Sequence, residues 1–254
     1  MNWLQRHWDE RAAANFILGG AGSGLLLVGV FSPLKSDSFL WAALVLIAAG
    51  LSAVWLEIGR KLRAIHVFFN PFTSWMTRES FAAGAIFLLA LAFLLTRKEF
   101  LLYGVAVAAA AFLWCQARIL RAAKGIPAWR APQVVPLVVF TGLAEGSGLC
   151  LFFDGSASVL AVFALAVLAR AMAWKHYRAA VKGASLDAPG KELLRVGTVA
   201  ALALAIASGF FPVIAPLAGL AAILPGWWVK LALVTRASFN QGYSLPRLPV
   251  RGTR

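Results

Sequence analysis

The sequence predicts an all-α integral membrane protein of eight transmembrane helices, arranged as two tandem four-helix bundles with both termini in the cytoplasm. Three observations predict it. The 254 residues are 61% hydrophobic and only 13% charged, with a mean hydropathy of +0.79, whereas soluble domains carry roughly a quarter charged residues. The apolar residues fall in long continuous runs, and a bilayer span needs about 20 of them. The basic residues collect in every second connection, which is how orientation is encoded.

The runs place spans at 14–33, 39–58, 80–96, 101–117, 134–153, 157–173, 196–212 and 215–234. Backbone polar groups in lipid are satisfied only by helices or closed barrels, and barrel strands are shorter and alternate in polarity, so these are helices. The connections 59–79, 118–133 and 174–195 and both chain ends are long and basic; those at 34–38, 97–100, 154–156 and 213–214 are short. Of the 24 Lys and Arg, only Lys35, Arg97 and Lys98 fall on one side, which leaves 21 on the other. Arg170 and Lys230 are counted there as side chains that snorkel to the basic face. The basic side is therefore cytoplasmic. Nothing in Met1–Arg11 reads as a cleavable signal. The charge of +14 follows from this topology and from anionic headgroups; no soluble module suited to nucleic acid is present.

An internal repeat supports the two halves. Ala21-Gly22-Ser23-Gly24-Leu25-Leu26-Leu27 resembles Glu145-Gly146-Ser147-Gly148-Leu149-Cys150-Leu151, at an offset of 124 residues. Four spans separate the copies, so both run in the same direction, as in a parallel duplication. The chain divides into 1–130 and 131–254, the second half ending in a basic tail. Gly20 and Gly24 have GxxxG spacing, which suits close helix packing.

Several chemistries are excluded. There is no Gly-rich phosphate loop, no CxxC and no Ser-His-Asp arrangement. Cys115 and Cys150 sit in separate apolar runs and read as small buried hydrophobes. His7, His66 and His176 lie outside the apolar centres, so paired axial ligands for a haem between spans are lacking; the expectation is no haem and no metal in this chain.

The connection from Glu57 to Glu79 carries the functional signal. It is polar yet threaded with Leu62, Ile65, Phe68, Phe69, Phe72 and Trp75, which suits an interfacial segment beside a cavity. Glu57 ends span 2 and Glu79 opens span 3, so the two carboxylates can meet at one entrance. Ionisable groups at membrane depth mark ion, proton or substrate sites; the alternative is simple pairing with Arg60, Arg63 or Arg78. Asn15, one turn into span 1 on the same side, is either a helix–helix hydrogen bond or a ligand contact. Glu145 lies about 17 Å into span 5 and must face the bundle interior, as a protonated structural acid, a member of a proton path or a second polar site.

Gly59-Arg60-x-Leu62-Arg63-Ala64 followed by Asn70-Pro71-x-x-Ser74-Trp75-Met76-x-Arg78-Glu79 resembles the signature of the NrfD/DmsC/PsrC family, the membrane anchors of molybdopterin oxidoreductases. The tail from Phe239 to Gly252 is similar to the anchors of sulfite dehydrogenase and phenylacetyl-CoA oxidoreductase type. The resemblance implies a quinone (menaquinone or ubiquinone) bound at the mouth of the first half. It also implies a four-cluster iron–sulfur subunit docked over that mouth on the cytoplasmic face, with a molybdopterin catalytic subunit beyond it. In the dimethyl sulfoxide reductase anchor a histidine ending span 2 and a glutamate opening span 3 serve quinol binding. Glu79 matches the glutamate. Glu57 stands at the histidine position, and His66, nine residues on, is a candidate replacement.

Reducing a quinone takes two electrons and two protons, so a site needs apolar walls, donors to the two oxygens and a protonatable group. Glu57, His66 and Glu79 are the proton candidates; Asn15, Arg63, Asn70, Ser74, Trp75 and Arg78 are the binding candidates, with Phe69 and Phe72 as further walls. Glu145 is the candidate for a proton path. Two rival readings remain: a transporter built from two four-helix repeats, and a structural assembly factor, which would leave the Glu57–Glu79 segment unexplained.

Overall fold

The structure, a computed structural model, describes residues 4–5, 8–33, 37–58 and 61–240. The basic tail from 241 onward, His7, Lys35 and the Gly59-Arg60 pair of the motif lie outside the described residues. Among the described residues eight helices longer than two turns follow one another: α1 Glu10–Gly29, α2 Asp37–Glu57, α3 Trp75–Thr96, α4 Phe100–Ala122, α5 Val134–Cys150, α6 Ala157–Ala180, α7 187–208 and α8 Ala215–Thr235, with a single turn at Pro127–Arg130. A 3₁₀ segment, Lys61–Phe69, precedes α3. Among the described residues there is no strand, only one isolated bridge between Leu4 and Phe239.

Every apolar run is helical, but not all in the same way. Six helices, α1 to α4, α6 and α8, are long and apolar enough to cross a membrane. Helix α5 is apolar but stops at 17 residues. Helix α7 begins with Lys191, Glu192 and Arg195, so its apolar stretch is short. The ends are set by local chemistry. Asp9 caps α1 by accepting from Arg11 N at 2.8 Å, and Ser74 caps α3 by accepting from Thr77 N at 3.3 Å, each satisfying a backbone donor that the first turn leaves open. Arg97, in the left-handed region at φ 57°, ends α3, and its guanidinium pairs with Asp37 at the start of α2 (2.6 Å).

The helices are apolar outside and polar within. Leu88, Leu95, Val199 and Ile206 are exposed on the periphery, whereas Asn15, Glu79, Gln116, Thr141, Glu145, Arg170 and Lys230 are buried. That is the arrangement a lipid-facing bundle requires. Apolar burial does not drive helices together in lipid; close packing of small residues does. The two copies of the repeated motif meet here: α1 crosses α5 at Gly24, Gly142 and Gly146. A Cβ on Gly146 would fall inside the Gly24 backbone, and one on Gly24 against the Gly142 carbonyl. A continuous cluster of buried apolar side chains runs from Leu25 and Ile47 through Phe112 to Phe163 and Ala218, joining α1, α2, α4, α6 and α8. A second cluster, around Phe16, Trp129, Trp174 and Val229, fills the end of the bundle where α1 begins.

One sequence expectation is corrected. Arg170 and Lys230 do not snorkel to a face. Both are buried in the bundle interior, because Glu145 and free helix carbonyls offer them partners that lipid cannot. Glu145 faces the bundle interior, where it is the ion-pair partner of Lys230 at 2.5 Å.

Candidate functional site

The chain builds two buried polar centres. The first begins at α1, which opens into a π turn over Asn15–Gly19. A π turn inserts an extra residue and disturbs the regular backbone ladder, and such bulges are frequent at functional sites. Here the Asn15 carbonyl accepts from Gln116 Nε2 of α4 at 2.9 Å, while the Asn15 side chain donates from Nδ2 to Glu79 Oε1 of α3 at 3.0 Å. Asn15 and Glu79 are both buried. Glu79 reaches this position because Ser74 starts α3 one turn earlier.

Asn15 and Glu79 line a cavity of about 370 Å³ at the end of the bundle where α1 and α3 begin and α2 ends. That volume lies within the range of small-molecule sites. Its walls are apolar: Trp8 and Phe16 from the start of α1, Leu51 and Trp55 from α2, Met76 from α3 and Ile119 from α4. Ala64 and Val67 of the 3₁₀ segment close one side, and Glu57 stands at the rim with Ile58. Arg11 donates to the Leu56 carbonyl beside that rim (3.3 Å). Its guanidinium also holds the Asp9 carboxyl below the usual carboxylate range.

Three of the residues singled out in the sequence, Asn15, Glu57 and Glu79, thus come together around one cavity. The others sit elsewhere. Arg63, His66 and Asn70 are exposed, and the His66 ring contacts the Arg63 carbonyl (3.0 Å) and Phe69. Ser74 is occupied as a helix cap. Arg78 ties the loop down by donating to the carbonyls of Pro71 and Phe72 at 2.8 and 2.6 Å. Trp75 is flanked by the guanidinium groups of Arg78 and Arg118, at 4.2 and 4.6 Å from its ring. Phe69 and Phe72 point outward and are exposed with Leu62 and Ile65. The walls expected from Phe69, Phe72 and Trp75 come instead from Trp8, Phe16 and Trp55.

The second centre lies between α5, α6, α7 and α8. Glu145 pairs with Lys230. Arg170 donates to the Ala222 carbonyl at 2.6 Å and to the Gly197 carbonyl. Gly197 lies in a second π turn, Arg195–Ala200. Ala222 lies in the turn before Pro225, whose missing N–H leaves the neighbouring Ala221 carbonyl without its donor and loosens that turn of α8. Irregular helices thus leave acceptors for the guanidinium. At the opposite end of the bundle Asp154 accepts from Ser32 Oγ and from Ser156 N. Cys115 and Cys150 are free and buried. Among the described residues no group of three or more His, Cys, Asp or Glu side chains gathers as metal ligands.

No protein-family model matches the chain. The chain is similar to a sulfite dehydrogenase subunit from Allochromatium vinosum. The two are 31% identical, over 50% of this chain and 49% of that protein. The chain therefore spans about half the length of the curated relative it matches.

Sequence reasoning missed Gln116, Lys230 and Arg170 as members of the polar centres. The signal was available. Gln116 and Lys230 are single polar residues within apolar runs, and in lipid a lone polar group of that kind must find a partner on another helix.

Proposed function

We propose that the chain is the quinone-binding membrane subunit of an oxidoreductase complex, an anchor of the NrfD/DmsC/PsrC type. It would exchange electrons between an iron–sulfur subunit and the membrane quinone pool, with a molybdopterin subunit as the catalytic partner beyond. The observation that carries the reading is the Asn15–Glu79 pair in an apolar cavity open beside Glu57. A quinone ring needs apolar walls, which Trp8, Phe16 and Trp55 supply, and a donor and a proton-exchanging group in reach, which Asn15 and Glu79 supply. Quinone reduction consumes two electrons and two protons. The electrons would arrive from the partner subunit, and the protons through Glu79 and the rim carboxylate Glu57. The similarity to a sulfite dehydrogenase subunit supports the same class of complex.

In this reading all eight helices span the bacterial inner membrane, in two four-helix halves, with both termini in the cytoplasm. The short α5 and the π-interrupted α7 complete the second half. The exposed Leu62, Ile65, Phe69 and Phe72 belong to the face over which the iron–sulfur subunit docks. Transport is the alternative reading, favoured by the buried Glu145–Lys230 pair. Transporter sites are typically made by discontinuous helices; α1 and α7 widen into π turns but continue through them, so the support is weaker.

Glu79→Gln tests the proposal. The amide keeps the shape and loses the exchangeable proton. In the assembled complex, quinone-coupled turnover should fall about 10²-fold or more, while activity with an artificial dye that takes electrons upstream of the anchor is retained. Normal quinone activity in this variant would remove Glu79 from the mechanism.

A further inference from the structure

The geometry points to Gln116 as a positioning residue for the pocket, acting through Asn15. Gln116 is fully buried and lies on α4, 101 residues from Asn15 in sequence. It is not among the residues lining the cavity. Its Nε2 donates to the Asn15 backbone carbonyl at the first residue of the π turn, an acceptor that belongs to the irregular stretch of α1. The turn is enclosed on both flanks. On the α2 side a Cβ at Gly50 would lie 3.1 Å from Gly19 N and 3.2 Å from Asn15 Oδ1, a tight fit that would need its neighbours to give by a few tenths of an ångström. On the α4 side a Cβ at Gly19 would lie 2.7 Å from Gln116 Nε2, and one at Gly20 would lie 2.6 Å from Lys230 Nζ and 3.4 Å from Gln116 Oε1. The Gln116 amide thus sits in a slot made by two glycines, with its oxygen on the side where the Lys230 ammonium also lies.

The consequence for the site follows from the geometry. Asn15 has one side-chain donor on Glu79 Oε1 and one backbone acceptor on Gln116. A π turn is a rare interruption of the α-helix that could replace it, and the Gln116 donor on the Asn15 carbonyl is a partner from another helix that helps to hold it. Relaxation of that turn to regular α geometry would rotate the side chain of Asn15 away from Glu79. Gln116 therefore fixes the direction of the Asn15 amide without lining the cavity, and its side chain also lies close enough to the Glu79 carboxylate to interact with it. Glutamine is suited to the task because it is neutral: a buried cation or carboxylate here would add an unpaired charge beside Glu79 and Lys230.

This inference rests on the quinone reading, and its test separates the two. Quinol-coupled turnover of the intact complex is measured for Asn15→Ala, Gln116→Met, the double variant and Glu79→Gln, with dye activity and co-purification of the partner subunits as the assembly control. Gln116→Met should lower kcat for the quinol about tenfold to a hundredfold, since a shift of about 1 Å in a catalytic group is enough for that, while KM changes little. The double variant should be no slower than Asn15→Ala alone, within about twofold, because residues acting through one contact are not additive. Losses that multiply would show that Gln116 acts independently of Asn15, by packing or directly on Glu79, and would overturn the inference. So would wild-type turnover in Gln116→Met beside impaired Asn15→Ala and Glu79→Gln. Normal turnover in all four would instead overturn the quinone site itself. If the Met side chain lowers the yield of complex, Gln116→Asn is read in the same cycle: it keeps the amide but is one carbon short of the Asn15 carbonyl.

Discussion

The two buried acids of this bundle have opposite surroundings. Glu79 lines a cavity and is held by neutral amides, Asn15 with Gln116 beside it. Glu145 is fully buried and is held by a cation, Lys230, with a second cation, Arg170, close by. A carboxylate partnered by an amide can gain or lose its charge without stranding another charge. One partnered by an ammonium cannot, because neutralising either member leaves the other uncompensated in a medium of low dielectric constant. The first arrangement suits proton exchange with a ligand; the second suits fixing the register of α5 against α8. Identical side chains thus take different work from the partner that the fold places beside them.

The sharpest way to break this comparison is at the ion pair. Lys230→Met should destabilise the protein by about 3–5 kcal/mol, read as loss of folded protein from the membrane. The double replacement Glu145→Met/Lys230→Leu should recover most of it, since an apolar pair of similar volume is often neutral or better. Failure of the double variant to recover would mean that the pair does more than hold helices.

That rescued double variant also sharpens the functional half of the comparison. In reconstituted vesicles with a potential-sensitive dye, quinone turnover by the native complex is expected to be electroneutral, electrons and protons meeting at the same end of the bundle around Glu57 and Glu79. A potential generated by the native complex and abolished in Glu145→Met/Lys230→Leu would place the second centre in a proton path, at a work of about 2.3 kcal/mol per charge per 100 mV.

A smaller effect is expected where α1 crosses α5. Gly146→Leu forces a side chain into the Gly24 backbone, and overpacking of this kind costs about 1–3 kcal/mol. The melting temperature should fall, while KM for the quinol stays near its native value in whatever complex assembles. A quinone defect larger than the stability loss would show that the α1–α5 crossing reaches the pocket.

The smallest effect concerns the cap of α1. The Asp9 carboxyl lies below its usual value of 3.8 because Arg11 donates to it. A depressed carboxylate contributes stability above its unfolded value, and the contribution disappears as pH falls through the folded one. Asp9→Asn should therefore remove a small stabilisation at neutral pH and flatten the acid limb of the stability profile below about pH 4. An unchanged acid limb would mean that the cap is not formed in the membrane.

The helices were legible in the sequence because their cause is local. A run of apolar residues long enough to cross a bilayer has no other stable backbone arrangement available, so 39–58, 101–117 and 215–234 announce α2, α4 and α8 directly. The carboxylates at the ends of α2 and α3 were legible for a related reason: connectivity alone brings the end of one helix near the start of the next. Only the tertiary structure decided which polar groups meet across helices. Glu79 with Asn15, Glu145 with Lys230 and Gln116 with the π turn of α1 join residues 64, 85 and 101 positions apart. Such pairings depend on how each helix is rotated about its axis. Apolarity cannot set that rotation where lipid and protein interior are equally apolar; the glycine contacts of α1 with α5 and α2 set it.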